Sequence, residues 1–263
     1  MDFLIPQPNT VLELHMPDGA TIRVRRHGNK QGPRLVLSHG NGFAIDAYYP
    51  FWRLLSADYD LILFDQRNHG HNPLHRFSHH TQWQMAEDME VVLRAVASAF
   101  GERPTAGIFH SLSTTVSLLH SDRYAWPWNA LILIDPPLAP APDHPLRPLT
   151  SHNEMGLSHW ARQRQNHFDS HEELAEHFRR ARRMRRWVAG ASDLMARSIT
   201  RAAEAGWELV CPSRIRGGDL CAERDRTGLA DPKARGRQAL GHQRRPDCTR
   251  CRSAEPSLRV PAG

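Results

Sequence analysis

The sequence predicts an α/β protein: a three-layer α/β/α sandwich on a mostly parallel sheet, with an inserted helical cap and with the C-terminal strands of the sheet missing. Three observations lead there. Apolar runs of strand length (Arg34 to Ser38, Leu61 to Phe64, Ala106 to Phe109, Ala130 to Ile134) alternate with segments of helical spacing, the pattern of a parallel sheet. Each run is continuous rather than alternating, as in strands covered on both faces. Each run is also followed at once by polar or glycine residues, His39-Gly40, Asp65, Ser111 and Asp135, where open α/β sheets bind ligands.

In chain order, Leu12 to Met16 and Thr21 to Arg25 read as a hairpin closed by Pro17-Asp18-Gly19. The Arg34 strand ends in His39-Gly40-Asn41-Gly42, and Asp46 to Leu55 has helical spacing. The Leu61 strand runs into Asp65-Gln66-Arg67-Asn68-His69-Gly70-His71. Thr81 to Phe100 is a helix opened by a Thr81/Gln84 capping box, faced by Met85, Met89, Val92 and Val96, and stopped by Gly101. After Asp135 a proline-rich linker leads into a region with helical patterns only; Ser170 with Glu173 opens a helix to about Arg183, and Ser192 opens another. The run Arg179 to Arg186 holds six arginines, read as a solvated face with Phe178, Met184 and Trp187 packed inward. The expected divisions are a core at 1–137, a cap at 138–205 and an aberrant tail at 206–263.

The stretch Gly107-Ile108-Phe109-His110-Ser111-Leu112-Ser113 takes a buried strand straight into a helix at a serine. That is the geometry of a nucleophile elbow, which lifts a hydroxyl clear of the sheet edge and aims the first helical N–H groups at an anion forming beside it. The bland alternative is a serine that caps a helix. Phe109 and Ser113 stand where G-x-S-x-G has glycine, so a local repacking is expected.

Charge is partitioned. The chain carries a formal +6, yet residues 1–211 have 22 basic and 22 acidic residues, and the excess sits in the last 52. That tail has eleven arginines, none of the twenty aromatic residues and no apolar periodicity. Lacking stacking platforms, it gives no case for single-strand nucleic-acid binding. Cys248-x-x-Cys251 has no second pair to complete a zinc site. His69, His71, His75, His79 and His80 crowd one loop without a compact ligand spacing, so no metal is expected. The tail reads best as a shifted reading frame beginning near Ser213, with a disordered basic tail as the ordinary alternative. The N-terminus shows no signal sequence and no run reaches membrane-spanning length, so a cytoplasmic protein without membrane partners is expected.

Taken together, the His39-Gly40-Asn41-Gly42 loop, the Asp65-x-Arg67-x-His69-Gly70 loop, the Ser111 elbow and the helical region after Asp135 resemble the α/β-hydrolase superfamily over roughly residues 10–210. The resemblance implies a cofactor-independent serine hydrolase of small-molecule esters or amides, acting through an acyl-enzyme. Ser111 is its nucleophile, Leu112 with Asn41 or Gly42 forms the oxyanion hole, and Asp135 occupies the earlier of two acid positions. His39 orients its loop. The catalytic histidine is unassigned, because the expected position falls in the tail, where His242 has no preceding strand. A non-catalytic binding protein of the same fold is the alternative.

Overall fold

A computed structural model of the chain describes residues 3–213, apart from 139 and 142. The tail cysteines, His242 and the altered reading frame thus lie outside the described residues.

The first hairpin forms as expected: β1 (Thr10–His15) pairs antiparallel with β2 (Thr21–Gly28), with His15 opposite Thr21. Gly19, at φ +91°, closes the turn, and Asp18 Oδ1 accepts the Ala20 N–H at 3.1 Å. Next come β3 (Arg34–Ser38), the short helix α1 (Tyr49–Trp52) and β4 (Asp60–Phe64). Then follow α2 (Gln82–Phe100), β5 (Thr105–His110), α3 (Leu112–Arg123) and β6 (Ala130–Ile134). The sheet order is β1-β2-β4-β3-β5-β6; β4, β3, β5 and β6 are mutually parallel and β2 runs against β4.

This order creates a crevice. From β3 the chain steps outward to β4 by way of α1, then returns through α2 to β5 on the other side of β3, and α3 carries it on to β6. Right-handed crossovers running in opposite directions lie on opposite faces. The buried clusters agree. Val36, Ile62, Phe64 and Phe109 pack with α2 and α3, whereas Leu35, Leu37, Leu61, Leu63 and Ile108 pack with Ile45 and Trp52. The connections leaving β3 and β5 therefore part company, and ligands bind in such sheets between strands of this kind.

Residues beyond the linker build a separate apolar cluster. The elements there are α4 (Arg147–Arg162), β7 (His167–Phe168), α5 (His171–Arg180), α6 (Ala191–Ser198), β8 (Thr200–Ala202) and β9 (Trp207–Leu209), and the cluster draws on β7, α5, α6 and β9. Phe168, Leu174, Phe178, Met195 and Leu209 pack together and against Ala44, in the loop after β3. Met184 and Trp187 pack on the same cluster, and Arg179 pairs outward with Glu172, Glu176 and Asp193, so the arginine run is a solvated face.

Four local expectations are corrected. Asp46 to Leu55 is not one helix but a 3₁₀ turn at Ile45–Tyr48 followed by the single turn of α1. The region after the linker is not purely helical, since β7, β9 and β8 form an antiparallel sheet of strands too short to show alternation. Thr81 Oγ1 accepts the Gln84 N–H, but the Gln84 amide turns to Glu87, so the box is half made. Helix α6 is opened by Gly190 at φ +82°, with Ser192 already inside it.

Candidate active site

Ser111 sits between β5 and α3 at φ +48°, ψ −111°. A non-glycine residue at positive φ carries strain that persists only where its surroundings enforce it. Its side chain makes no capping hydrogen bond, which removes the simple N-cap reading. The backbone is held from both sides: Ser111 N–H donates to Ile134 O at 3.0 Å, and Ser111 O accepts the Thr114 N–H at 2.9 Å. Ser113, where glycine is usual, turns its hydroxyl to the His110 carbonyl at 3.0 Å. The repacking expected of Phe109 is supplied two residues earlier. A Cβ on Gly107 would stand 2.6 Å from Phe109 Cε2, so the ring, fully buried against Trp128, occupies the space that Gly107 leaves.

The loop after β3 comes close to this serine. A Cβ on Gly40 would lie 3.2 Å from Ser111 Cβ and 2.7 Å from His110 Nδ1, and only glycine admits that approach. Gly40 N–H donates to Tyr48 Oη at 3.1 Å, and the Tyr48 hydroxyl and His110 Nδ1 share a hydrogen bond of 2.6 Å. Burial pushes the Tyr48 phenol up and the His110 imidazole down, the latter against the opposing charge of Asp135. His110 is therefore neutral near pH 7. It stacks against Phe43 and lines a cavity of about 370 Å³ with Tyr48, Phe51, Ile134, Trp187 and Met195.

Second-layer residues settle the loops. His39, fully buried, donates from Nδ1 to Gly40 O at 2.9 Å and accepts the Gln66 N–H at Nε2, 3.0 Å, so it orients its loop with both nitrogens. Asp65 accepts the Ile45 N–H at 2.7 Å and packs under Gly70, a position at φ +53° where a Cβ would collide with the carboxylate. Its place at a strand end is thus structural. Gly42 N–H, one of the two loop donors expected for an oxyanion, donates to His69 Nε2 at 2.9 Å. Asn41 and Leu112 keep the positions expected of them, at the β3 loop and at the first residue of α3. Asp135 follows β6 at φ +47°, exposed, directly after the carbonyl that holds Ser111. His120 lies away on α3, bonded to Glu90 at 2.8 Å.

With this geometry in place, a family model described as "Serine aminopeptidase, S33" matches residues 30–206. The chain belongs to that family of α/β hydrolases. Solved structures of similar fold include E-2-(acetamidomethylene)succinate hydrolase, at 18% identity and TM-score 0.65, covering 82% of this chain and 73% of that one. An α/β hydrolase from Novosphingobium aromaticivorans aligns at 16% identity and TM-score 0.62, covering 80% and 71%. The thioesterase domain from the curacin biosynthetic pathway aligns at 16% and 0.60, covering 83% and 78%. Likeness at these identities speaks to the fold. No curated protein matches the chain.

Among the described residues of this α/β hydrolase, no histidine is hydrogen-bonded to Ser111 Oγ or to Asp135. Two side-chain groups have metal-ligand chemistry. In the first, His69, His80 and Cys211, both His69 nitrogens are engaged, Nε2 by Gly42 and Nδ1 by the Arg67 carbonyl, so the ring offers no lone pair. The second joins Asp18 to His75 and His79; sequence spacing missed it because the carboxylate comes from the first hairpin. No described helix is long and apolar enough to cross a membrane.

Proposed function

We propose that this chain is a serine hydrolase of carboxylic esters or amides, with Ser111 as nucleophile. The observation that carries the reading is the strained backbone of Ser111 at a strand-to-helix junction, unexplained by capping and reinforced by the close approach of Gly40. Ser111 Oγ attacks the acyl carbonyl, and the oxyanion is met by the Leu112 N–H and by the backbone at Asn41. Such donors contribute several kcal/mol because they are already oriented when the charge forms. Collapse of the tetrahedral intermediate expels the alcohol or amine, and water then hydrolyses the acyl-enzyme. The apolar cavity beside His110 takes the acyl group, so esters with bulky apolar acyl chains are the favoured substrate class. The segment 138–205 acts as the cap, walling this cavity with Trp187 and Met195. Asp135 is the acid by position.

The general base is not among the described contacts of Ser111, and a base contributes roughly 10²–10⁴ to rate. A slow enzyme is therefore expected. The same observation favours the second reading, a binding protein that keeps the fold without turnover. Incubation with aryl esters of increasing acyl length and with a fluorophosphonate probe distinguishes the two. Ser111-dependent labelling and slow hydrolysis, both abolished in Ser111→Ala, support the hydrolase; hydrolysis unchanged in Ser111→Ala refutes it.

A further inference from the structure

Asp18 lies in the β1–β2 turn, while His75 and His79 lie in the loop between β4 and α2, up to 61 residues away in sequence. His79 Nδ1 is 2.9 Å and His75 Nε2 is 3.6 Å from the same oxygen, Asp18 Oδ2, and all three ligand atoms lie within 4.8 Å of one another. A tetrahedral ion with bonds of about 2.0–2.1 Å separates its ligand atoms by about 3.3 Å. The two edges to Asp18 Oδ2 bracket that spacing.

A second observation is independent of the spacing. His75 Nε2 is shut off from solvent and has no hydrogen-bond partner among the described residues, although it is directed at the Asp18 carboxylate. A buried ring nitrogen left without a partner is costly, and such groups call for an explanation, an ion among them. The surroundings supply support for the carboxylate. Arg67 donates to Asp18 Oδ2 at 2.8 Å from one nitrogen and engages Asp88 with the other two at 2.7 and 2.6 Å. Asp88 thereby balances the guanidinium and leaves Asp18's own charge for a cation. Ligating carboxylates are commonly held by such outer hydrogen bonds. The side chain of His79 is 35% exposed, which leaves a path for water at the fourth position.

We propose that Asp18, His75 and His79 bind a zinc ion, with water as the fourth ligand, and so clamp the first hairpin to the loop that precedes α2. His79 now donates from Nδ1 to Asp18. On binding, Nδ1 gives up this proton and its lone pair turns to the metal. Imidazole and carboxylate ligands suit zinc, with an open water position.

The test is titration of the metal-free full-length protein with Zn²⁺, and separately with Co²⁺ followed by visible absorption, together with thermal unfolding. Expected are saturable binding of one ion at this site, tetrahedral Co²⁺ bands, and a Tm that rises with Zn²⁺. In His75→Gln and His79→Gln the affinity should fall at least about tenfold while the metal-free Tm stays near that of the parent. Those variants keep the Arg67–Asp18 pair, so loss of binding in a folded variant reads on the ligand itself. No saturable binding, an octahedral Co²⁺ spectrum, or binding that persists undiminished in both variants would overturn the proposal; the last outcome would place the ion on other histidines or cysteines.

Discussion

At the scale of single residues, the elbow shows how a departure from a motif is absorbed. The phenylalanine at position 109 is tolerated because Gly107 yields its side-chain space to the ring. Gly107→Ala would set a methyl 2.6 Å from Phe109 Cε2 and 2.9 Å from Leu131 Cδ1, and overpacking of this kind costs about 1–3 kcal/mol. A fall in Tm with retained fold is the expected result. His27 gives a pH dependence. Burial, with Arg25 adding to it against Asp46, lowers its pKa from 6.5 to about 4 while it packs on Trp52. The folded chain then binds fewer protons than the unfolded one between those values. Stability is complete above pH 6.5 and declines as pH falls toward 4, by on the order of 3 kcal/mol in all. Denaturant titrations of the parent and His27→Phe from pH 7 to 4 check this; the variant's acid limb should be flatter. Ser111 was legible at this scale because strand and helix patterns abut there. The hydrogen bond of the Gly42 N–H was not, since its partner His69 is brought by folding rather than by spacing.

Among elements, the sheet is fastened at the amino ends of its parallel strands by one carboxylate. Asp60, which opens β4 with no exposure, accepts from Arg26 of β2 at 2.6 and 3.1 Å and from Arg34 of β3 at 3.1 Å. Removing one member of a buried ionic set leaves the others uncompensated, typically at 3–5 kcal/mol. Asp60→Asn should therefore destabilise strongly, more than Thr81→Ala, where loss of the α2 cap costs about 1 kcal/mol. Chemical denaturation of the two variants side by side measures the difference. The strands around Asp60 were readable as apolar runs. The two arginines paired with this buried acid were invisible, because their pairing follows the strand order β2-β4-β3, which periodicity does not report. The two- and three-residue strands β7, β8 and β9 were equally hidden, being too short for alternation to repeat.

For the molecule as a whole, charge and apolar surface divide along the chain. The neutral stretch 1–211 coincides closely with the described fold, whereas the basic excess falls beyond it. Among the described residues β6 has a ladder partner on one side only, and Ile132 and Ile134 remain 51% and 43% exposed. An apolar edge of that kind templates further strand pairing. If the reading frame shifts near codon 213, as the sequence suggests, the strands that would cover β6 and a catalytic histidine would be encoded one base away. Correcting the frame should raise both soluble yield and esterase rate, and early stop codons in the alternative frame would end the idea. The fold class was legible because strand-length apolar runs alternate with helices. The surroundings of Ser111 were less so, because Gly40, Tyr48 and Ile134 reach it from strands and loops that only the sheet order brings together.

One hydrogen bond links these scales. The Ser111 amide is hung on the carbonyl of Ile134, the last residue of β6. Edge strands fray with opening free energies well below that of global unfolding. Each fraying event releases the tether of Ser111, so the positional noise of that residue is governed by how often β6 peels from β5 rather than by the melting temperature of the protein. Native-state exchange at the Ser111 amide should accordingly track β6 and run faster than exchange in the β3–β4 ladder. A ligand that quiets the edge would sharpen the serine without touching it.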